Sequence, residues 1–180
     1  MFQVNDTVMY GSSGVCKISE ICAKKFGSNE VLYYVLKPLY DENSTIYCPV
    51  DSPKLKIREL LSVNEIYQLI QEMPDAQTAW IDNEQKRKEK FSKIIKEGDH
   101  RELIRLIRAL YFNREEKHRS GKKFYLSDER MMKEAETILH EEFAHVLNIQ
   151  IEDVVPFIMG ELQKQEDARC AQFEGCDSAD

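Results

Sequence analysis

Long apolar runs are absent from these 180 residues, and with them the ~18 to 20 consecutive apolar positions that a helix needs to span a bilayer. The opening residues, Met1-Phe2-Gln3-Val4-Asn5-Asp6, lack the charged and apolar regions of a secretory signal, so a cytoplasmic chain with no membrane partner is expected. Cysteine is sparse and odd in number. Cys16, Cys22, Cys48, Cys170 and Cys176 do not make the even framework of a small secreted domain, and no Cys-x-x-Cys pair occurs, so reduced thiols are expected. Histidine is scarcer, at four residues, and His140 and His145 stand five apart; on a helix that spacing turns the second roughly 140° from the first, too far to share one ion. No Ser/His/Asp or Cys/His set can be singled out, so the reading expects no enzyme, metal, cofactor or small-molecule substrate.

What is there fits a soluble globular chain, 42% hydrophobic and 32% charged. The net charge of -7 argues on its face against nucleic acid, but it averages over a strong segregation. Trp80 to Lys123 carries fourteen basic against eight acidic residues, while Phe124 to Asp180 carries four against fourteen. Because salt screens beyond about 8 to 10 Å, a locally basic segment can still meet phosphate, although non-specific DNA affinity should be poor.

Up to about Asp51 the pattern is that of short strands: Thr7–Tyr10, Val15–Ile21, Val31–Leu36 and Thr45–Pro49, separated by turn residues. Gly11-Ser12-Ser13-Gly14 leads into another β-rich run, which makes it a hairpin turn and not a phosphate cradle. Such a module has a thin core, so the following helix should pack on it. From Glu59 the apolar period changes to about 3.6. Ser62-Val63-Asn64-Glu65 is a capping box, a second helix should run from about Ala79 to Glu97 with Gly98 at its C-cap, and Asp99 to Glu102 opens a third with Leu103, Leu106, Ile107, Leu110 and Tyr111 inward. Ser127 or Asp128 should cap a fourth, whose apolar stripe is interrupted only by Glu142. A fifth should follow Asn148 as its cap, from Glu152 to Gln165 with Pro156 near the first turn. The expected units are 1–58, 59–165 and a flexible acidic tail, 166–180. The fold class is α+β in two modules.

The only tryptophan, Trp80, precedes a basic cluster, Lys86, Arg87, Lys88 and Lys90. In the first turn of a helix it could enter a groove while the cations reach phosphates. The residues alone favour a core indole and a solvated basic face.

Val4 to Gly11, the Gly14-Val15 turn, Tyr33-Tyr34-Val35-Leu36, Ile46-Tyr47-Cys48-Pro49-Val50, Trp80 and Ala135-Glu136-Thr137-Ile138-Leu139 together resemble the CarD-like (CdnL) family of bacterial transcription regulators, over residues 1 to about 160. The resemblance implies an N-terminal Tudor/SH3-like β-barrel, shared with transcription-repair coupling factors, that binds the RNA polymerase β subunit. It also implies a helical bundle of about five helices that meets promoter DNA, with no enzymatic activity. It places the polymerase contact on Lys24, Lys25, Thr45, Ile46, Tyr47 and Pro49, and the DNA contact on Trp80, a wedge at the upstream edge of the melted bubble, with Lys86, Arg87, Lys88 and Lys90 beside it. DNA contact would be weak and mostly non-sequence-specific, and the chain would associate with the nucleoid through polymerase. Two departures bear on this: some relatives carry arginine where this chain has Tyr47, and Asp82, Asn83 and Glu84 stand between Trp80 and its lysines. The alternative is a polymerase-bound adaptor whose acidic helical region recruits a protein.

Overall fold

The structure, a computed structural model, describes residues 1–26, 29–41, 43–51, 57–76 and 80–174. Strands β1 (Thr7–Tyr10), β2 (Val15–Phe26), β3 (Asn29–Pro38), β4 (Ile46–Pro49) and β5 (Ile57–Arg58) form one antiparallel sheet in the order β4-β3-β2-β1-β5. Helices α1 (Val63–Glu72), α2 (Glu84–Glu97), α3 (His100–Arg119), α4 (Leu126–Leu147) and α5 (Ile151–Glu174) follow, which gives the α+β, two-module layout that the sequence predicts. Strands β2 and β3 outrun their predicted lengths, pairing from Cys16 with Pro38 out to Phe26 with Asn29. A bulge between Ile18 and Glu20 breaks their register, and there Ser19 Oγ donates to the Val35 carbonyl at 3.0 Å.

One face of the sheet buries Val8, Cys16, Ile18, Tyr34, Leu36 and Cys48 as its own small core. Met9 and Val15 instead join Phe91, Ile94, Ile95, Leu103, Leu106, Leu110, Met132, Ala135 and Ile138 in the helical core. The sheet is therefore completed by α2 and α4, not by the helix that follows it in sequence. The buried face of α1, Ile66, Leu69 and Ile70, goes to Ile104, Leu139, Phe143 and Val154.

Local chemistry explains most helix ends. The Ser62–Glu65 capping box forms with both of its hydrogen bonds, Asp99 accepts from the Glu102 N–H, and Gly98 closes α2 in the left-handed region at φ 68°. Four boundaries differ from expectation. Helix α2 starts at Glu84, because Asn83 accepts from the Lys86 N–H and caps it, so Trp80 lies outside the helix. Helix α4 starts at Leu126 behind Tyr125 without a side-chain cap; Ser127 and Asp128 are inside it, and Asp128 is engaged elsewhere. Asn148 closes α4 at φ 54° and does not cap α5. Helix α5 runs on to Glu174 where the sequence reading ended it at Gln165, since Ala168, Arg169 and Ala171 are good helix formers and neither Gly nor Pro intervenes; the rest of the expected tail, 175–180, lies outside the described residues. Tyr111, expected inward, is 45% exposed.

The β1–β2 turn is pinned under α4. Gly14 adopts φ 72°, ψ -150°, a region open essentially to glycine, and a Cβ there would lie 2.0 Å from Glu141 Oε2. Gly14→Ala is expected to cost roughly 1–3 kcal/mol from backbone strain alone, more if Glu141 must leave. Urea unfolding of the variant beside the parent checks this, and an unchanged midpoint would count against it.

Candidate functional site

Strand β4 is an edge of the sheet: it pairs with β3 on one side, and no strand among the described residues pairs on the other. An open edge offers unpaired backbone groups to an incoming strand. Alternation sorts the side chains. Thr45 and Tyr47 are exposed, whereas Ile46 packs on the sheet core and Pro49 is half-buried. Lys24, from β2, brings its ammonium 3.3 Å from the centroid of the Tyr47 ring, and Lys37 Nζ donates to Thr45 Oγ1 at 2.5 Å. The aromatic that stands where some relatives have arginine is thus topped by a cation from another strand. Lys25, the next residue along β2, is exposed and stands opposite Glu30 in the β2–β3 register.

In the helical module, Trp80 lies half-buried in the segment before α2, packed on the edge of the core. Arg87, offered by the sequence as a phosphate ligand, is turned inward and only 1% exposed. Its Nη2 donates to Asp128 Oδ2 at 2.9 Å, its Nε to Asp128 Oδ1 at 3.3 Å, and its Nη1 to the carbonyls of Ile81 at 2.8 Å and Asp82 at 3.3 Å. The guanidinium carbon sits 4.6 Å from the centroid of the Trp80 ring. Arg87 thus points to the interior, where it holds the segment that carries Trp80 and supports the indole. Burial forces that geometry, because a guanidinium taken out of water needs its donors met. Lys86 and Lys90 are exposed one turn apart, and neither makes an ion pair among the described residues. Lys88 lies 2.6 Å from Glu84 in an i, i+4 pair, so one of the acids that intrude after Trp80 is answered locally.

A third cluster ties the modules together. Glu142, fully buried on α4, receives both Nη atoms of Arg58 from β5 at 2.8 Å and the Leu61 N–H at 3.0 Å, and its Oε2 lies 2.7 Å from His100 Nε2 at the start of α3. Burial pushes its pKa up, but the hydrogen bonds and charges of Arg58 and His100 outweigh burial and hold it at about 2. Its neighbour Glu141 faces the Gly14–Val15 turn, and burial raises it to about 7 against a hydrogen bond from the Val15 backbone. The sequence reading offered Asp128 only as a helix cap and gave Glu142 no partners. The one visible signal was Glu142 itself, a lone carboxylate in an apolar stripe that must find partners.

Among the described residues no three His, Cys, Asp or Glu are placed to hold a metal ion, and no helix is long and apolar enough to cross a membrane. Residues 2–61 match the CarD-like/TRCF RID domain, the RNA polymerase-interacting module, and residues 65–158, more than half of the chain, match the CarD C-terminal domain. A comparison with curated proteins gives no significant match. The sheet with its open β4 edge falls within the first match, and Trp80, Arg87 and Glu142 fall within the second. The chain accordingly has a transcription-associated, polymerase-binding role, and it belongs to the CarD-like family.

Proposed function

We propose that the chain binds the polymerase β subunit by strand addition at β4, with Lys24, Lys25, Thr45, Tyr47 and Pro49 choosing the partner. It then sets Trp80 against promoter DNA at the upstream edge of the bubble, with Lys86, Lys88 and Lys90 toward the phosphates, and catalyses nothing. The observation that carries the reading is the mounting of Trp80: an indole outside any helix, backed by a guanidinium that makes four hydrogen bonds and followed by two exposed lysines. Unstacking a base step costs a few kcal/mol, which a wedge can offset only where the duplex is already distorted, so the protein would favour the opened state by population shift. Tethering through the sheet supplies the effective concentration that a chain of net charge -7 does not find by attraction to DNA.

The test is open-complex lifetime with purified polymerase. The intact chain should lengthen it; Trp80→Ala should bind polymerase equally and lose the effect, and Lys86→Glu with Lys90→Glu should reduce it in a salt-dependent way. The adaptor reading draws on α5, whose Val155 and Met159 are exposed, at 49% and 62%, in the acidic part of the chain. It leads if Trp80→Ala and the charge reversals leave the lifetime unchanged while polymerase binding persists.

A further inference from the structure

Beside Trp80 the surface folds into a cleft of about 300 Å³, between the segment before α2, the last turns of α3 and the residues that open α4. That is the small end of the range for ligand sites. Two aromatic rings share it. The Arg87 guanidinium carbon lies 4.6 Å from the Trp80 centroid and 5.9 Å from that of Tyr125, and Lys117 Nζ stands 3.6 Å from the Tyr125 centroid. Tyr125 is 50% exposed, with Lys117 over one face of its ring, so it stands at the surface and not in a core.

The polar lining is as informative. Lys117 and Lys122 are balanced by Asp82 and Glu116, and the charge of Arg87 is already met by Asp128, so the cleft is not an anion site. Asn113 also lines it, and its Oδ1 is buried without a hydrogen-bond partner among the described residues. An unmet buried acceptor is uncommon in a folded protein and marks a place where a donor is wanted. Aromatic walls, a near-neutral mixed rim and an amide in want of a partner suit a planar heterocycle with donors and acceptors along its edge. In a duplex both faces of such a ring are covered by its neighbours; in a melted strand they are not.

We propose that the cleft between Trp80 and Tyr125 receives one unstacked nucleobase of single-stranded DNA, stacked on an aromatic ring with its hydrogen-bonding edge toward Asn113. The inference rests on the promoter reading above and extends it from a wedge that parts two bases to a site that keeps one of them. Base–aromatic stacking is sequence-tolerant, and losing one ring should weaken binding roughly tenfold or more.

Because Trp80 is the only tryptophan, its emission reports the site directly. The full chain is titrated at low salt with a short single-stranded oligonucleotide, the duplex of the same sequence and an abasic strand of the same length. Saturable quenching by the single strand is expected, with at least tenfold weaker binding of the duplex and of the abasic strand. Tyr125→Ala should weaken single-strand binding about tenfold with an unchanged circular dichroism spectrum, whereas Lys86→Glu, outside the cleft, should weaken base-bearing and abasic strands alike. Equal binding of the abasic strand, or no saturable quenching up to about 1 mM strand, overturns the proposal. Its failure is separable from that of the promoter reading. If Tyr125→Ala keeps both single-strand affinity and the lifetime effect while Trp80→Ala loses the latter, the cleft is wrong and the wedge stands. Base-dependent quenching with no lifetime effect of Trp80→Ala keeps the cleft and sinks the promoter reading.

Discussion

Arg87→Ala should lower the free energy of unfolding by about 3–5 kcal/mol, a large part of the roughly 5–15 kcal/mol that a domain possesses. Both partners of the ion pair are out of water, with side-chain exposures of 2% for Arg87 and 0% for Asp128. Truncating either leaves the other as an uncompensated buried charge, which is what makes single removal so costly. Losing Arg87 also strips the Ile81 and Asp82 carbonyls of a donor and removes the group stacked on Trp80. Two readouts separate these effects: urea unfolding followed by circular dichroism gives the stability, and the Trp80 emission maximum in the native state should move to the red as the indole is released. Arg87→Lys should rescue little, since one ammonium cannot replace a planar fork that reaches a carboxylate and two carbonyls together. The double change Arg87→Met with Asp128→Leu should recover much of the loss, because an apolar pair of similar volume needs no desolvation. A cost below about 1 kcal/mol for Arg87→Ala would show that the pair is far better hydrated than its burial implies.

Two adjacent carboxylates on α4 should give the protein opposed pH dependences. Glu142 is held at about 2, below its ordinary 4.5, so the stability it contributes is present above about 4.5 and is lost as pH falls toward 2. That shift corresponds to roughly 3 kcal/mol, and Glu142→Ala should cost about as much at neutral pH, because Arg58, His100 and the Leu61 N–H lose their common partner. Glu141 runs the other way. Its pKa rises from 4.5 to about 7 on folding, so the folded state holds the proton more tightly, and stability declines as pH climbs through that interval. Unfolding free energies measured from pH 3 to 8 should therefore pass through a maximum. Glu141→Gln should flatten the upper limb and Glu142→Gln the lower one. An upper limb that Glu141→Gln leaves untouched would place that titration elsewhere.

The sequence carried whatever its neighbours in the chain determine. Ser62, Asp99 and Gly98 could be read as caps because each acts within four residues of itself, and four of the five strands showed in their alternation, the two-residue β5 being too short to carry one. Trp80 was placed a turn too deep in α2, although Asn83, a far better N-cap than Ala79, stands three residues on and marks the true start. Arg87 looked like one more cation in a basic run; its role depends on Asp128, forty-one positions away, and on the inward side of α2 that it shares with Phe91, Ile94 and Ile95. Glu142 could be recognised as anomalous but not explained, because its partners come from β5, α3 and the segment before α1. The Trp80–Tyr125 cleft was out of reach for the same reason: three separate stretches of chain build its walls.

Met9 and Val15 belong by sequence to the sheet and by packing to the helices. A chain cut between the two would expose those side chains on one fragment and leave matching holes beside Phe91 and Leu106 on the other. Neither half should then be a faithful surrogate for its part of the whole, and grafting the sheet onto a foreign partner would require repainting that surface. Because that seam is shared, heat or denaturant is expected to melt sheet and helices together, so that unfolding the sheet would also release the tryptophan.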